Sequence, residues 1–332
     1  MKNTMLAAAA AAALASLPVA AQNYNLTLTG ASPGGLWSAI GTGADAAIAK
    51  AYPGSTLTYQ TSSGGLANIP LVAQGKVPLG LATDGELKAA VSGTEPFKSP
   101  ITKVRTLVRV YAPESRFQMT HLLLSRAFAE RHGIRTFADI VAKKAPLRVA
   151  INRRGNLDGD VSETVMAAMG APIKAIESWG GHVVRAASKE QASLYLDRRI
   201  DMMNYGISFN HPSIQEAVKG VDSTLLDIPA EVAEKVAAQF GGGRCAIMAG
   251  EYAWSPSPAN AVCIGAVIVV SADMDPALAY NLAKAIVEQI ETFKERSHRA
   301  IKATVTPKVL ATRAVAPFHP GAEKYFKEKN LL

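Results

Sequence analysis

The sequence has few of the residues on which most catalytic and metal sites depend. Its 332 residues include only two cysteines and six histidines. The histidines form no HExxH motif or close pair, and no serine stands in a Gly-x-Ser-x-Gly elbow. The cysteines have no histidine or carboxylate beside them at ligand spacing, so they predict no metal site. We therefore expect no catalytic residues, no metal and no cofactor, and we do not expect an enzyme.

Aromatic residues are also scarce, at 6% of the chain, and no basic run is interleaved with them. This pattern argues against nucleic-acid binding. The formal net charge of +8 is spread along the sequence. A mild positive field of this kind helps to gather small anions, although an ordinary solvated surface explains it equally well.

Long apolar runs are missing from the body of the chain, where none reaches about 18 uninterrupted residues. The one notable run, Met5–Leu17, follows Lys2 and precedes the small residues Ala20 and Ala21. This order is typical of a secretory signal peptide over residues 1–21, and an alanine-rich first helix is the alternative. The sequence thus predicts a periplasmic protein.

Both cysteines, Cys245 and Cys263, lie beyond the predicted signal peptide. An even count in an oxidising compartment predicts one disulfide bond, and two separate buried thiols are the alternative. In the chain-entropy model a loop of this size stabilises the fold by about 3 kcal/mol.

Three strand–turn–helix units open the mature sequence. Their predicted strands span 25–30, 55–61 and 79–83, and their helices span 36–50, 66–74 and 86–91. Parallel strands end at a common sheet edge, so the turns there bring backbone N–H groups and helix N-termini together. Such an edge favours small polar or anionic ligands without any catalytic residue.

The same pattern restarts with a strand at 147–152 and a helix at 159–169. A restart in mid-chain predicts an α/β protein with two lobes that are joined by crossing strands and have a cleft between them. We predict lobe I from residues 22–115 plus 265–332, lobe II from residues 116–264, and a monomer. Further along, the sequence predicts a strand at 104–111, a helix near 126–132 and a capping box of Thr136 and Asp139. It also predicts an irregular 241–258 segment, one strand at 263–271 and one helix at 275–296.

Three sequence blocks follow the leader in a characteristic order. They are Thr29–Gly35 with Trp37 and Gly41; Thr61–Asn68 with Gly75–Leu79 and Asp84; and the tail Pro317–Glu328. In this order the chain resembles the TRAP-associated extracytoplasmic immunogenic (TAXI) proteins, which serve tripartite transporters. The resemblance implies a two-lobed periplasmic-binding-protein (clamshell) fold with the ligand cleft between the lobes. It also implies that the protein binds a small carboxylate or amino acid and delivers it to a TRAP-type membrane permease. A receptor that feeds a membrane sensor kinase is the alternative.

The resemblance also implies ligand positions. In lobe I they are Trp37 with the adjoining Gly35; Ser63, Gly64 and Asn68 in the second turn; and Asp84. Capping is the alternative role of Asn68 and Asp84. The sequence departs from the family's pattern at Gly65, where a serine is common, and at residues 155–158, which replace a Gly-Ser-Gly-Thr turn.

The remaining candidates come from the second lobe and the crossing strands. Arg153 and Asn156 lie in or beside the altered turn, and arginine suits bidentate recognition of a carboxylate. Trp179 either closes over a ligand or packs beneath its own loop. Tyr205 ends a strand at the same sheet edge, and Tyr111 is placed to line the hinge.

Overall fold

The computed structural model describes residues 23–297 and 301–332. The predicted signal peptide at residues 1–21 lies outside the described residues. In the part of the chain that is described, no helix has both the length and the apolar character needed to span a membrane.

Strands and helices alternate along most of the chain. The strands are β1 (Asn25–Thr29), β2 (Thr56–Gln60), β3 (Leu79–Thr83), β4 (Val104–Tyr111), β5 (Gln118–Ser125), β6 (Arg148–Ile151), β7 (His182–Arg185), β8 (Met202–Ile207), β9 (Ser223–Leu226), β10 (Gly243–Ile247), β11 (Ala259–Ile264) and β12 (Ala266–Ser271). The helices are α1 (Leu36–Ala51), α2 (Gly65–Ala73), α3 (Asp84–Ser92), α4 (Arg126–His132), α5 (Phe137–Ala142), α6 (Leu157–Ala168), α7 (Ile173–Ser178), α8 (Ser188–Leu196), α9 (Pro212–Gly220), α10 (Ala230–Gln239), α11 (Pro276–Glu288), α12 (Ile290–Arg296), α13 (Ile301–Thr304), α14 (Pro307–Leu310) and α15 (Pro320–Glu328).

The first sheet has the strand order β2-β1-β3-β12-β4. β1 runs parallel to β2 and β3, whereas β12 runs antiparallel to both of its neighbours. All of β3 is buried because helices cover both faces of the sheet. Helix α1 packs on one face through Ile40, Ala44 and Ile48, which share one side of the helix. Helix α2 covers the opposite face with Ile69 and Val72.

The second sheet has the strand order β10-β11-β5-β8-β6-β7. β11 pairs only with the first two residues of β5, and β9 pairs with residues 122–125 of the same strand. The edge strand β10 is joined to the neighbouring strand β11 by the disulfide Cys245–Cys263, with the two Cα atoms 5.8 Å apart. The predicted disulfide is therefore confirmed. The two-lobed α/β architecture predicted from the sequence is also confirmed, and we call the sheets with their covering helices the first and second lobes.

The described strands are linked between the two sheets by two crossings. Residues 112–117 connect β4 to β5 through a short 3₁₀ turn at Pro113–Ser115. Gly265 alone connects β11 to β12. The predicted single strand at 263–271 is therefore wrong, because the chain leaves one sheet and enters the other at Gly265. The exact residues at which one lobe gives way to the other stay a prediction.

Two other sequence predictions fail in the second half of the chain. The segment predicted to be irregular contains β10, which is held by pairing with β11 rather than by its own propensity. The predicted helix at 275–296 is split into α11 and α12 at Gln289. By contrast, β3, β4 and α4 have the bounds that the sequence predicts, and the predicted capping box of Thr136 and Asp139 is present at the start of α5.

Candidate functional site

A small cavity lies between the two lobes. Its first-lobe wall consists of Ala31, Ser32, Gly35, Leu36, Trp37, Gly64, Thr83 and Glu86, and its second-lobe wall of Asn152, Asn156, Leu157, Asp158, Ser188 and Gly206. Gln118, at the start of β5, completes the lining from the crossing. A molecule held here would contact both lobes at once.

Several helices begin at this cavity. The lining includes Gly35 and Gly64, the N-cap residues of α1 and α2, together with Thr83, the N-cap residue of α3. From the second lobe, α6 begins after its N-cap Asn156, and α8 begins at Ser188. Helix N-termini carry unsatisfied N–H groups and a partial positive charge, so together they favour an anionic group in the cavity.

The two lobes touch each other at the rim of the cavity. Ser32 Oγ, on the first lobe, donates a hydrogen bond to Asn152 Oδ1, on the second lobe, at 3.0 Å. Within the second lobe, Asn152 Nδ2 donates to Ser188 Oγ at 3.4 Å. Gly64 also packs directly against the backbone of Gly155, because a Cβ atom at Gly64 would lie 2.7 Å from the carbonyl oxygen of Gly155. The structure therefore shows the lobes closed on the cavity.

A chain of hydrogen bonds runs from the first lobe through the crossing to the second. Trp37 Nε1 donates to Tyr111 Oη at 2.8 Å, and the Tyr111 hydroxyl donates to Gln118 Oε1. Gln118 Nε2 then donates to Asp158 Oδ1 at 2.6 Å. Tyr111 is fully buried behind the cavity wall. These bonds fix the Trp37 ring and the Asp158 carboxyl group relative to each other.

Two carboxyl groups of the cavity wall, those of Glu86 and Asp158, have pKa values above the ordinary range. Burial raises the pKa of Glu86 to about 7, and it raises the pKa of Asp158 to about 7 as well. The nearby Glu86 carboxylate adds to the upward shift of the Asp158 pKa. Among the described residues that line the cavity, Lys, Arg and His are all missing.

The structure brings four of the sequence-predicted site residues into the cavity wall: Gly35, Trp37, Gly64 and Asn156. Ser63 lies beside Gly155 where the lobes meet, outside the lining. Tyr111 lies behind Trp37 as the middle of the hydrogen-bond chain.

Asn68 and Asp84 have structural partners within the first lobe. Asn68 is fully buried, and its Nδ2 donates to the carbonyl oxygens of Gly30 and Leu81 at 2.7 and 2.8 Å. Asp84 forms a buried ion pair with Arg109, with N–O distances of 2.7 and 2.9 Å. Both side chains therefore hold the ends of the strands and turns in place, and neither lines the cavity.

The three remaining predicted residues also lie outside the cavity wall. Arg153 is exposed to solvent. Trp179 ends α7 and packs against the core of the second lobe. Tyr205 is buried, and its hydroxyl donates to the carbonyl oxygen of Ser188 at 3.4 Å, next to the lining residue Gly206.

Sequence reasoning did not select Glu86, Gln118, Asp158, Asn152, Ser32 or Ser188. The Thr83-x-x-Glu86 spacing is a capping-box pattern, and the structure shows that capping box, so its sequence signal is structural. Asp158 in the first turn of α6 has an equally ordinary explanation. Only the meeting of the two lobes shows that these side chains face one cavity.

The NMT1-like family profile matches residues 28–329, nearly the whole described chain. The chain belongs to the NMT1-like family. No curated protein matches this NMT1-like chain. The more specific resemblance to the TAXI proteins stays a prediction.

Solved structures similar to this NMT1-like protein share its fold at low sequence identity. MatC from Rhodopseudomonas palustris, solved with bound malate, is 13% identical over 95% of this chain and 99% of MatC, with a TM-score of 0.54. The periplasmic binding protein BugD is 12% identical over 93% of this chain and 98% of its own, also with a TM-score of 0.54. PhnD1 from Prochlorococcus marinus, in complex with methylphosphonate, is 10% identical over 93% and 99% of the two chains, with a TM-score of 0.53. The fold is thus the two-lobed fold of periplasmic binding proteins.

Proposed function

We propose that this NMT1-like protein is a periplasmic solute-binding protein that holds a small carboxylate or amino acid in the interlobe cavity and delivers it to a TRAP-type membrane permease. The observation that carries the proposal is the cavity itself, which is walled by both lobes and surrounded by helix N-termini. The similarity to MatC and PhnD1 supports the same reading, because both were solved with small anionic solutes.

In the proposed site, backbone N–H groups bind the charged part of the solute and an aromatic ring contacts its apolar part. The N-terminus of α1, which has no acidic residue in its first turn and no side-chain cap, holds the carboxylate of the solute through backbone N–H groups. The Trp37 ring, fixed by its bond to Tyr111, covers an apolar part of the solute. Seven of the residues predicted from the sequence do not line the cavity and are not among the proposed contacts: Ser63, Asn68, Asp84, Tyr111, Arg153, Trp179 and Tyr205.

Delivery follows from the two-lobed design. The described strands cross between the sheets only at residues 112–117 and at Gly265, so the lobes have two narrow connections about which to move. A solute that contacts both walls binds the closed arrangement better than an open one, and so it shifts the population toward closure. A permease that recognises the closed surface would then receive only loaded protein.

Native mass spectrometry of the purified mature chain tests the proposal directly. We expect one small adduct per chain that is lost on denaturation and refolding and is restored by the pure compound. Ser188→Leu should abolish the adduct because the leucine would fill the cavity, whereas Ser193→Leu on the exposed side of α8 should keep it. An adduct that survives Ser188→Leu would show that the solute binds elsewhere.

A chain with no adduct is then screened by calorimetry against small carboxylates and amino acids. Saturable binding of at least one of them, lost in Ser188→Leu, is the expected result. A screen in which no compound binds the wild-type chain would contradict a solute-binding role.

A further inference from the structure

One buried oxygen of the Glu86 carboxyl group has spare capacity to accept hydrogen bonds. Its Oε2 accepts hydrogen bonds from the backbone N–H and the hydroxyl of Thr83, both at 2.9 Å, as part of the capping box of α3. Its Oε1 accepts no hydrogen bond of ordinary geometry among the described residues, although Glu86 is only 1% exposed. The carboxyl group also interacts with the Leu66 N–H, which lowers its pKa without offsetting the effect of burial. A buried acceptor left unpaired is costly, so a ligand that donates to it gains that free energy back.

Oε1 lies on the cavity side of Glu86. A Cβ atom built on Gly64, a lining residue, would lie 3.6 Å from Oε1, whereas Oε2 faces Gly65 and the interior of the helix start. Across the cavity, the second-lobe wall contributes Asp158, whose Oδ1 is held by Gln118. The cavity thus has a carboxyl group on each wall.

No cationic side chain in the described structure is placed to balance these carboxyl groups. Arg109 is committed to Asp84, and Arg153 is exposed outside the cavity. Lys88 is also exposed and borders a separate groove, which Glu86 lines as well, and it does not line the cavity. A positive charge in this cavity would therefore have to come from the solute.

The helix N-termini favour a carboxylate group on the solute, in addition to its positive charge. The N-terminus of α1 has no acidic residue in its first turn and can hold one carboxylate through backbone N–H groups. The N-termini of α2 and α6 are less suited, because Glu86 Oε1 lies beside Gly64 and Asp158 lies in the first turn of α6.

At pH 8, above the pKa of about 7 that Glu86 and Asp158 each have, a second carboxylate on the same small solute would face an ionised side chain, and like charges at such short range repel each other. An ammonium group in that position would instead pair with the free carboxylate oxygen. The binding measurements are therefore made at pH 8.

We infer that the cavity selects a small solute bearing an ammonium group, which pairs with Glu86 Oε1, and that it rejects dicarboxylates. This inference rests on the proposed solute-binding function and narrows it to amine-bearing carboxylates whose remaining part carries no negative charge. Glu86 is then the residue that determines specificity, and Asp158 supports it from the opposite wall.

The test is calorimetry of the wild-type chain and three variants with defined probes. The probes are L-alanine, L-serine and L-glutamine, which carry an ammonium group; propionate, which lacks it; and succinate and malate, which are dicarboxylates. Glu86→Gln keeps an acceptor for Thr83 but replaces the free oxygen by an amide N–H₂ group. Asp158→Asn keeps the acceptor for Gln118. Asp139→Asn is the matched control, since Asp139 occupies the equivalent capping-box position on the surface helix α5.

We expect at least one amine-bearing probe to bind the wild-type chain at least 10-fold more tightly than propionate, succinate or malate. Glu86→Gln should weaken that probe by about 10- to 100-fold, which corresponds to the loss of a charge-assisted hydrogen bond. Asp158→Asn should weaken it less, and Asp139→Asn should leave it unchanged. Circular dichroism of each variant confirms that it is folded.

Several results would overturn the inference. Tighter binding of succinate or malate than of every amine would do so while leaving the solute-binding function intact, and so would an unchanged affinity in folded Glu86→Gln. If no probe binds the wild-type chain, selection of amine-bearing carboxylates is wrong, and the adduct seen by native mass spectrometry decides separately whether the cavity binds a solute of other chemistry.

Discussion

Ser32 and Asn152 lie 120 residues apart in the sequence, yet their side chains form a buried hydrogen bond of 3.0 Å across the two lobes. Ser32 belongs to the turn between β1 and α1, and Asn152 directly follows β6. The bond therefore exists only when the lobes are closed. Removing the Ser32 hydroxyl group therefore tests how much this bond contributes to closure.

Removing that hydroxyl should weaken solute binding without changing the cavity's charges. Ser32→Ala is expected to raise the Kd by about 2- to 12-fold, because the closed form loses one hydrogen bond worth about 0.5–1.5 kcal/mol. Calorimetry with the solute identified by mass spectrometry measures this change. Ser178→Ala, which removes an exposed hydroxyl at the end of α7, is the control. Equal affinities for Ser32→Ala and the wild type would show that the bond does not contribute to closure.

The close approach of Gly64 to Gly155 leads to a second prediction. Gly64 has a φ of +134°, and a Cβ atom there would meet the Gly155 carbonyl oxygen at 2.7 Å. Gly64→Ala should therefore hinder closure and weaken the solute by about 10-fold or more. Small-angle scattering should show a smaller ligand-induced compaction than in the wild type.

Gly75→Ala is the matched control for this substitution. Gly75 also has a positive φ, of +68°, but nothing lies within 4 Å of its would-be Cβ atom. This variant should lose some stability and keep both its affinity and its compaction. If both variants close normally, the Gly64–Gly155 contact does not limit closure.

The buried ion pair of Asp84 and Arg109 predicts a large effect on stability. Both side chains are more than 90% buried, so Arg109→Met leaves a carboxylate without its partner. We expect the free energy of unfolding to fall by about 3–5 kcal/mol, measured by urea denaturation. Lys103→Met, which breaks the exposed pair with Asp273, should change it by less than about 1 kcal/mol. A small effect of Arg109→Met would mean that Asp84 is not buried as described.

The raised pKa of Glu86 predicts a specific pH dependence for the solute-free protein. A carboxyl group whose pKa is about 7 in the folded chain, against 4.5 ordinarily, keeps its proton where the unfolded chain loses it. Its contribution to stability therefore falls as the pH rises from about 4.5 to 7. Between pH 5 and pH 8 the wild type should lose about 2–3 kcal/mol relative to Glu86→Gln.

Comparing the two proteins at each pH removes the effect of groups that do not interact with Glu86. Asp158 does interact with it, so the comparison is made in an Asp158→Asn background. Burial lowers the pKa of His121 to about 4, which makes stability rise with pH between about 4 and 6.5, but this residue is the same in both proteins. Thermal and urea unfolding at several pH values give the difference. A difference that stays constant from pH 5 to pH 8 would contradict a raised pKa at Glu86.

The parts of the fold that sequence reasoning predicted well are those governed by local signals. β3 and β4 stand between clear turn residues, and the Thr136–Asp139 capping box marks the start of α5. The break at Gly265 has no such signal, because both β11 and β12 are buried and the apolar run continues through it. Pairing partners, which lie far away in the sequence, decide where one strand ends and the next begins.

The site was predicted only in part, for a related reason. Trp37, Gly35 and Gly64 follow from the turn at the first sheet's edge, which a strand–turn–helix pattern can locate. Glu86 and Asp158 have local roles that explain them fully within their own helices. Their second role depends on a surface from the other lobe, and no spacing in the sequence records it. Arg153 was selected from the sequence although it does not line the cavity. Its residue type suits a carboxylate and it lies beside the turn, but its side chain is exposed to solvent.

The most direct test of a solute site between the lobes uses the fluorescence of Trp37. The chain has three tryptophans, and of these Trp37 lines the cavity. In a Trp179→Phe, Trp254→Phe background, titration with the solute identified by mass spectrometry should change the Trp37 emission saturably, with one solute per chain and the Kd found by calorimetry. Unchanged Trp37 emission at solute concentrations that saturate the calorimetric signal would contradict the account, because the solute would then bind away from the interlobe cavity.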